Sequence, residues 1–389
     1  MTAPAAQHDG RHDAVPGVIA RLGALAAEAE VDRQLRICNA CRYCEGYCAV
    51  FPALMQRLTY TPADVHYLAN LCHNCGACLH ACQYASPHEF AVNLPQAMAV
   101  VRQRTYTAYA WPAPLGRLVR RHGMVVSLVL VVSMLLVLAL AAAGGGPLWR
   151  VTGAGAFYEV LPHGMLVGLF APAFGFAVLA LGLGVRRFWR DQGEATAPAR
   201  AWKRATRRAL TLRHLGGGHG EGCPNDDDAY TPWRRVAHHL TFYGFALCFA
   251  STVAGTVMHY VVALPAPYGL VSVPKLLGLP GGAMLLVGSL AQLALYQRRD
   301  PRLKDPQQAG MDRALMALLA GIAATGLALP ALHGHPALPL TLCAHLALVL
   351  TLFVTMPYGK LAHGVYRMAA LLKRAAERNR PGPAVDGGG

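Results

Sequence analysis

The sequence predicts an all-α chain in two parts: a cysteine-rich helical domain, then a bundle of six transmembrane helices. Three observations predict it. Of 389 residues, 54% are hydrophobic and only 14% charged, whereas a soluble domain carries roughly a quarter charged residues. Six apolar stretches of near-spanning length occupy the chain beyond residue 120. Eight of the 11 cysteines fall between positions 38 and 82.

The first element is the cysteine domain. Asp9, Asp13, Glu28, Glu30 and Asp32 interrupt every N-terminal apolar run, so no signal peptide is expected and the N-terminus should stay in the cytoplasm. Thiols are kept reduced there, which favours metal ligation over disulfides. Cys38, Cys41, Cys44 and Cys48 read C-x2-C-x2-C-x3-C, and Cys72, Cys75, Cys78 and Cys82 repeat the spacing. This is the run that binds [4Fe–4S] cubanes in bacterial two-cluster ferredoxins, where the last cysteine of each run serves the other cluster. The expected sets are therefore Cys38, Cys41, Cys44 with Cys82, and Cys72, Cys75, Cys78 with Cys48. Zinc knuckles use two C-x2-C pairs or mixed Cys/His sets, and they leave no cysteines over. Gly76 suits a loop whose backbone approaches sulfide closely. His66, His73, His80 and His88 read as supporting or surface residues, since the cysteines fill both sites.

The segment from Ala49 to Leu71 has helical character, with an N-cap signature in Thr61-Pro62-Ala63-Asp64, and residues 17–35 also look helical. An α-helical ferredoxin-like domain, of the kind in succinate-dehydrogenase-type iron–sulfur subunits, follows over 17–110. The N-terminus 1–16 and the tail 379–389 should be flexible.

The second part, 111–378, carries spans at about 124–143, 163–185, 239–262, 276–296, 314–332 and 340–358, each near the roughly 20 residues a crossing needs. Clusters of Arg and Lys precede span one, fill the 186–237 loop, separate spans four and five, and follow span six. The intervening loops hold only Arg150 and Lys275. The positive-inside rule then places both termini and the cysteines in the cytoplasm, in a multi-pass protein of the bacterial inner membrane. It also accounts for 35 basic against 20 acidic residues without nucleic acid as a partner.

Ionisable residues at membrane depth point to function. His238 and His239 sit at the inner mouth of span three and His259 near its outer end. His345 lies toward the outside of span six, and His363 follows where that helix reaches the cytoplasm. At about 100° per residue, His238 and His259 differ by about 60° in phase, while His239 and His259 differ by about 160°. The phase favours His238. His345 and His363 share a face if the helix runs through Pro357. Opposed spans match His259 with His345 and His238 or His239 with His363, an arrangement able to hold haem b, two in all. His163, His333 and His335 read as helix-end residues, and Cys248 and Cys343 as small core residues. The stretch Gly216–Pro224 is not a phosphate loop, because it lacks the Gly-Lys-Ser/Thr ending. A docking loop facing the cysteine domain is expected.

The runs CHNCGACLHACQYASPHEF (72–90), RRVAHHLTFYGFALCFAST (234–252) and MPYGKLAHGVYR (356–367) resemble the tricarballylate-utilisation protein B family, also known as citrate-utilisation protein B. Similar sequence forms the C-terminal half of a fused cobalamin-synthesis flavoprotein. The resemblance spans about 17–378. The membrane part more loosely resembles the dihaem gamma subunit of respiratory nitrate reductase, which spaces its first-helix histidines more closely. Ser86-Pro87 stands where the resemblance leads one to expect Pro-Pro. The resemblance implies a soluble FAD-dependent dehydrogenase as partner, one that oxidises tricarballylate. This chain would reoxidise the flavin and pass electrons through iron–sulfur and haem to the quinone pool, so it is an electron-transfer component and not a dehydrogenase by itself. Tyr358 and Lys360, beside His363, are the quinone candidates. Two other readings compete: a transporter of citrate-like acids, against which no internal repeat or matched broken helices appear, and a membrane redox sensor, which lacks an output module.

Overall fold

The computed structural model describes residues 15–150, 156–193, 196–217, 222–224, 229–264, 266 and 268–378. Residues 1–14 of the expected N-terminal arm and the tail 379–389 lie outside them, as do 218–221 of the glycine-rich stretch. The described fold is all-α apart from one two-residue ladder, β1 (Cys223–Pro224) against β2 (Tyr230–Thr231).

The N-terminal domain comprises α1 (Val15–Cys41), α2 (Val50–Leu54), α3 (Pro62–Leu71), α4 (Ala77–His80) and α5 (Leu94–Ala108). The predicted start of α3 is formed as a capping box: the Thr61 hydroxyl accepts from the Asp64 amide while the Asp64 carboxylate accepts from the Thr61 amide. That arrangement satisfies two backbone donors that a helix start otherwise leaves open.

Six long apolar helices follow: α6 (Ala113–Ala143), α8 (His163–Asp191), α10 (Trp233–Tyr260), α11 (Val273–Gln297), α12 (Pro306–Ala331) and α13 (Leu338–Thr355). Their length and composition suit them to cross a membrane. A short α7 (Ala156–Val160) precedes α8. Helix α6 kinks at His122, so its basic first part is set off from the apolar stretch expected to span. Helices α10 and α11 form a close hairpin. A Cβ on Gly244 or Gly281 would strike backbone of the partner helix, as would one on Gly288, the small-residue contact by which membrane helices approach. Helix α13 packs on α6, α8 and α12 and has no extended backbone contact with α10.

Two elements inside the predicted membrane part join the cysteine domain instead. Helix α9 (Ala199–Leu210), within the 186–237 loop, and α14 (His363–Glu377) bury Ala201, Ala205, Leu371 and Ala375 in one core with Leu35, Phe51, Leu68 and Met98. Arg57 fastens this assembly by pairing with Asp64 at 2.7 Å and with Glu377 of α14. Tyr67 adds a hydroxyl bond to Glu377 at 3.0 Å. The cysteine domain is thus riveted to the end of the bundle.

Helix α13 stops at Thr355, and a 3-10 turn, Lys360–Ala362, intervenes before α14. The expected phase link between His345 and His363 therefore does not apply. Pro357 lacks the amide hydrogen that would continue the helical ladder, and the chain turns where it stands.

Candidate metal centre

Each cysteine run begins at the C-terminal end of a helix and continues through a tight turn. Cys38 and Cys41 close α1, and Cys72 caps α3. The residue after the second cysteine is left-handed in both runs, Arg42 at φ 58° and Gly76 at φ 92°. At Gly76 a Cβ would press on the Leu303 side chain, and the left-handed backbone favours glycine.

The thiols fall into two neighbourhoods. Burial pushes Cys38 up to about 12, and nearby Cys82, Cys44 and Cys41 add to the shift. Cys44 rises to about 12 by burial and then by Cys82 and Cys41. Cys48 is raised by burial and then by Cys75 and Cys72, not by its own run. Cys78 is raised by burial, followed by Cys75, Cys72, Cys48 and more remotely Cys44. Thus Cys82 sits with the first run and Cys48 with the second. Buried thiols of this kind ionise only with a cation to compensate them.

The surroundings fit that charge. Backbone amides aim at sulfur: Asn74 at Cys72 over 3.3 Å, Ala77 at Cys75, and Val50 and Phe51 at Cys48. Gln83 reaches Cys41 at 3.8 Å. Four arginines from four segments hold the 72–75 turn. Arg102 and Arg367 donate to the Cys72 carbonyl, Arg234 to that of Cys75 at 3.0 Å, and Arg299 to that of Asn74 at 2.8 Å. Burial, with neighbouring Arg234 adding to it, lowers Arg299 to about 9. The Nε atoms of Arg299 and Arg367 are buried without a partner. Buried guanidiniums are costly unless an anion faces them, and cluster-bound thiolates are such an anion. Among the described residues no three His, Cys, Asp or Glu side chains converge on a single-ion site; a four-iron cube holds its thiolates farther apart than one ion does. Beside the first set, a cavity of about 230 Å³ is lined by Cys38, Cys41, Cys44 and Cys82, and Cys78 of the second set reaches it too.

The second cysteine turn rests on the histidines. His73 has His214 and His238 as neighbours, the His214 ring centroid lying 6.1 Å away. The His238 ring faces His363, with centroids 6.1 Å apart. The His363 Nδ1–H donates to the Lys360 carbonyl at 2.6 Å, which leaves Nε2 as the lone-pair nitrogen, the form in which imidazole binds metal. His238 Nδ1 is buried without a partner. His239 instead lies against Tyr243. At the far end the expected His259–His345 pair is not in ring contact. His259 stacks on His163 at 4.4 Å, and His345 Nδ1 lies 3.0 Å from the Thr325 hydroxyl of α12. His163 therefore has a neighbour that its helix-end position did not announce.

Two family models match the chain: the citrate utilization protein B Fer4-like domain over residues 31–108, and citrate utilization protein B over residues 117–384. The chain belongs to the citrate utilization protein B family. Citrate utilization protein B of Escherichia coli is 50% identical over 353 residues, which cover 91% of this chain and 93% of that protein. No solved structure matches.

In this family member, the remaining candidates are engaged within the protein. The Tyr358 hydroxyl donates to the Trp111 carbonyl at 3.0 Å, and Lys360 pairs with Asp312 at 2.9 Å. Burial lowers Lys360 to about 8, opposed by Asp312. His66 bridges Tyr109 and Glu28, His80 faces Asp300, and His88 lies against Tyr84 and Phe90, which are supporting roles. Sequence reasoning singled out the 216–224 stretch but gave Cys223 no role. It is fully buried and packs with Leu212 and Leu215 against Cys75, within thiol hydrogen-bonding reach of it. The only signal was a Cys-Pro step ending the glycine-rich stretch.

Proposed function

We propose that the chain is a membrane electron carrier. It takes electrons from a soluble flavoprotein dehydrogenase through two [4Fe–4S] sites and delivers them through haem b to quinone, with the cysteine domain in the cytoplasm. The grouping of eight thiols into two crossed sets of four, with four arginines closing on the 72–75 turn, is the observation that carries this reading. Cys38, Cys41, Cys44 and Cys82 would hold one cluster, and Cys72, Cys75, Cys78 and Cys48 the other. His238 and His363 would hold a haem. These groups supply one-electron chemistry that no side chain here can provide.

The protein residues set the direction. The first thiol set borders an open cavity and exposed Tyr43, the side from which a soluble donor reaches it. In the second set, the Cys72–Cys75 turn contains His73, which has His214 and His238 as neighbours. Arg102, Arg234, Arg299 and Arg367 bias that inner site toward accepting negative charge. His238 and His363 would supply two imidazole nitrogens to that haem. A second haem between His259 and His345 requires His259 to leave His163. Lys360 and Asp312, next to His363, form the proton-bearing pair nearest the proposed quinone end. The Escherichia coli relative's name ties it to citrate utilization; for this chain, a dehydrogenase of citrate-like tricarboxylates is the proposed donor.

Optical and EPR spectra of the detergent-purified protein, oxidised and dithionite-reduced, test the reading. Reduced [4Fe–4S] signals with a haem b α-band support it. Absence of iron and acid-labile sulfide from a folded preparation would reject it.

A further inference from the structure

A basic pocket of about 690 Å³ lies against the back of the cysteine domain, walled by Cys48 on one side and by Arg208, Arg213, Arg235 and Arg378 on the others. The four guanidiniums come from separate places: α9, the turn after it, the first turn of α10, and the end of α14. No carboxylate lines the pocket among the described residues. Arg208 is lowered by burial and then by Arg378, Arg374, Arg204 and Arg213, all of its own sign. His214, on the same wall, is pushed by burial and by Arg208 and Arg213 to about 4, so it adds no charge at neutral pH. Arg235 donates one bond to the Thr211 carbonyl.

Convergent like charges repel, and a fold tolerates them where a counter-ion is bound. Guanidinium forks bind carboxylates and phosphates in bidentate fashion. The volume is in the range of small-molecule sites, roughly 300–1,000 Å³. We propose that this pocket binds a small multivalent oxyanion, a polycarboxylate or a pyrophosphate-bearing molecule, beside Cys48. Such a ligand places negative charge next to the sulfur proposed above to hold the inner cluster. Occupancy and reduction therefore oppose each other, and by linkage reduction weakens binding. This last consequence rests on the proposed iron–sulfur reading; the pocket itself does not.

The experiment is isothermal titration calorimetry on the full-length detergent-purified protein, with citrate, pyrophosphate, acetate and a hexaglutamate peptide as probes. Iron and sulfide are assayed on the same sample. The expected result is one saturable site for citrate or pyrophosphate, acetate failing to compete, and affinity falling as salt rises. Citrate against pyrophosphate identifies which oxyanion the pocket prefers. Arg208→Gln and Arg213→Gln should each weaken binding about tenfold or more with iron content unchanged, and dithionite reduction should weaken it further. Absence of saturable binding overturns the proposal, as does binding indifferent to both variants. Binding of hexaglutamate alone also overturns it and makes the surface a protein-docking site. Equal affinity in oxidised and reduced iron-loaded protein overturns the placement beside the cluster. Tight binding to iron-free protein supports the pocket while rejecting the electron-transfer reading, so the two failures are distinguishable.

Discussion

His238 and His363 come from helices that are far apart in sequence, yet their rings face each other with centroids 6.1 Å apart. The Lys360 carbonyl fixes the proton of His363 on Nδ1. Under the proposed reading this pair would supply two imidazoles to one haem, His363 through Nε2. Replacing either His238 or His363 by Ala is expected to lower the pyridine-haemochrome ratio by about one haem per chain, whereas His239→Ala leaves it unchanged. Equal loss from the His239 variant would return the assignment to an open choice between neighbours.

The crossed thiol sets make a prediction that a simple in-run assignment does not. Cys48→Ala should remove the same EPR signal as Cys75→Ala, and Cys82→Ala the same signal as Cys41→Ala. Each variant should lose about half of the iron. The test is the pairing of signals, since iron content alone cannot separate the two assignments. If Cys48→Ala instead matches Cys41→Ala, each run holds its own cluster.

Arg57 ties α3 to α14 through Asp64 and Glu377, with side chains only 13%, 18% and 12% exposed. Burial alone would raise the Asp64 carboxyl, but the Arg57 guanidinium and the Thr61 hydroxyl outweigh it and hold the group below the usual carboxylate range. A carboxyl depressed by folding contributes its stability above its unfolded pKa and loses it as pH falls through the folded one. Asp64→Asn is therefore expected to cost about 2 kcal/mol. That cost should stay constant from neutral pH down to about pH 4 and shrink only below it. Thermal unfolding followed by circular dichroism at a series of pH values reads this directly. A cost that already declines between pH 7 and pH 5 would mean that another group carries the contact.

The elements set by local pattern were legible in the sequence: the six apolar helices, the α3 capping box and both cysteine runs. Each follows from spacing within a single helix or turn. What stayed hidden depends on contacts between distant segments. Helix α9 reads as a basic loop because its buried face is only Ala201 and Ala205, too small to stand out against five arginines and lysines. Arg102, Arg234, Arg299 and Arg367 look like positive-inside charges, and nothing local says that they close on the 72–75 turn. The His345–His363 phase link failed because it assumed a continuous helix across Pro357.

Cys223 is the clearest case of a residue that only the fold reveals. Its thiol is fully buried, bonds to the Leu215 carbonyl at 3.4 Å, and lies within reach of Cys75. A ligand thiolate is the stronger acceptor of the two, because charge-assisted hydrogen bonds exceed neutral ones. A donor placed on cluster sulfur stabilises the more negative, reduced state. Cys223→Ala is therefore expected to lower the midpoint potential of the cluster that Cys75 holds, while the other cluster and the iron content stay as they are. Cys223→Ser, which keeps a donor, should restore part of the shift. EPR-monitored redox titration separates this from a ligand role, since a lost ligand would cost the cluster itself. Unchanged potentials in both variants would reduce Cys223 to a packing residue behind the turn.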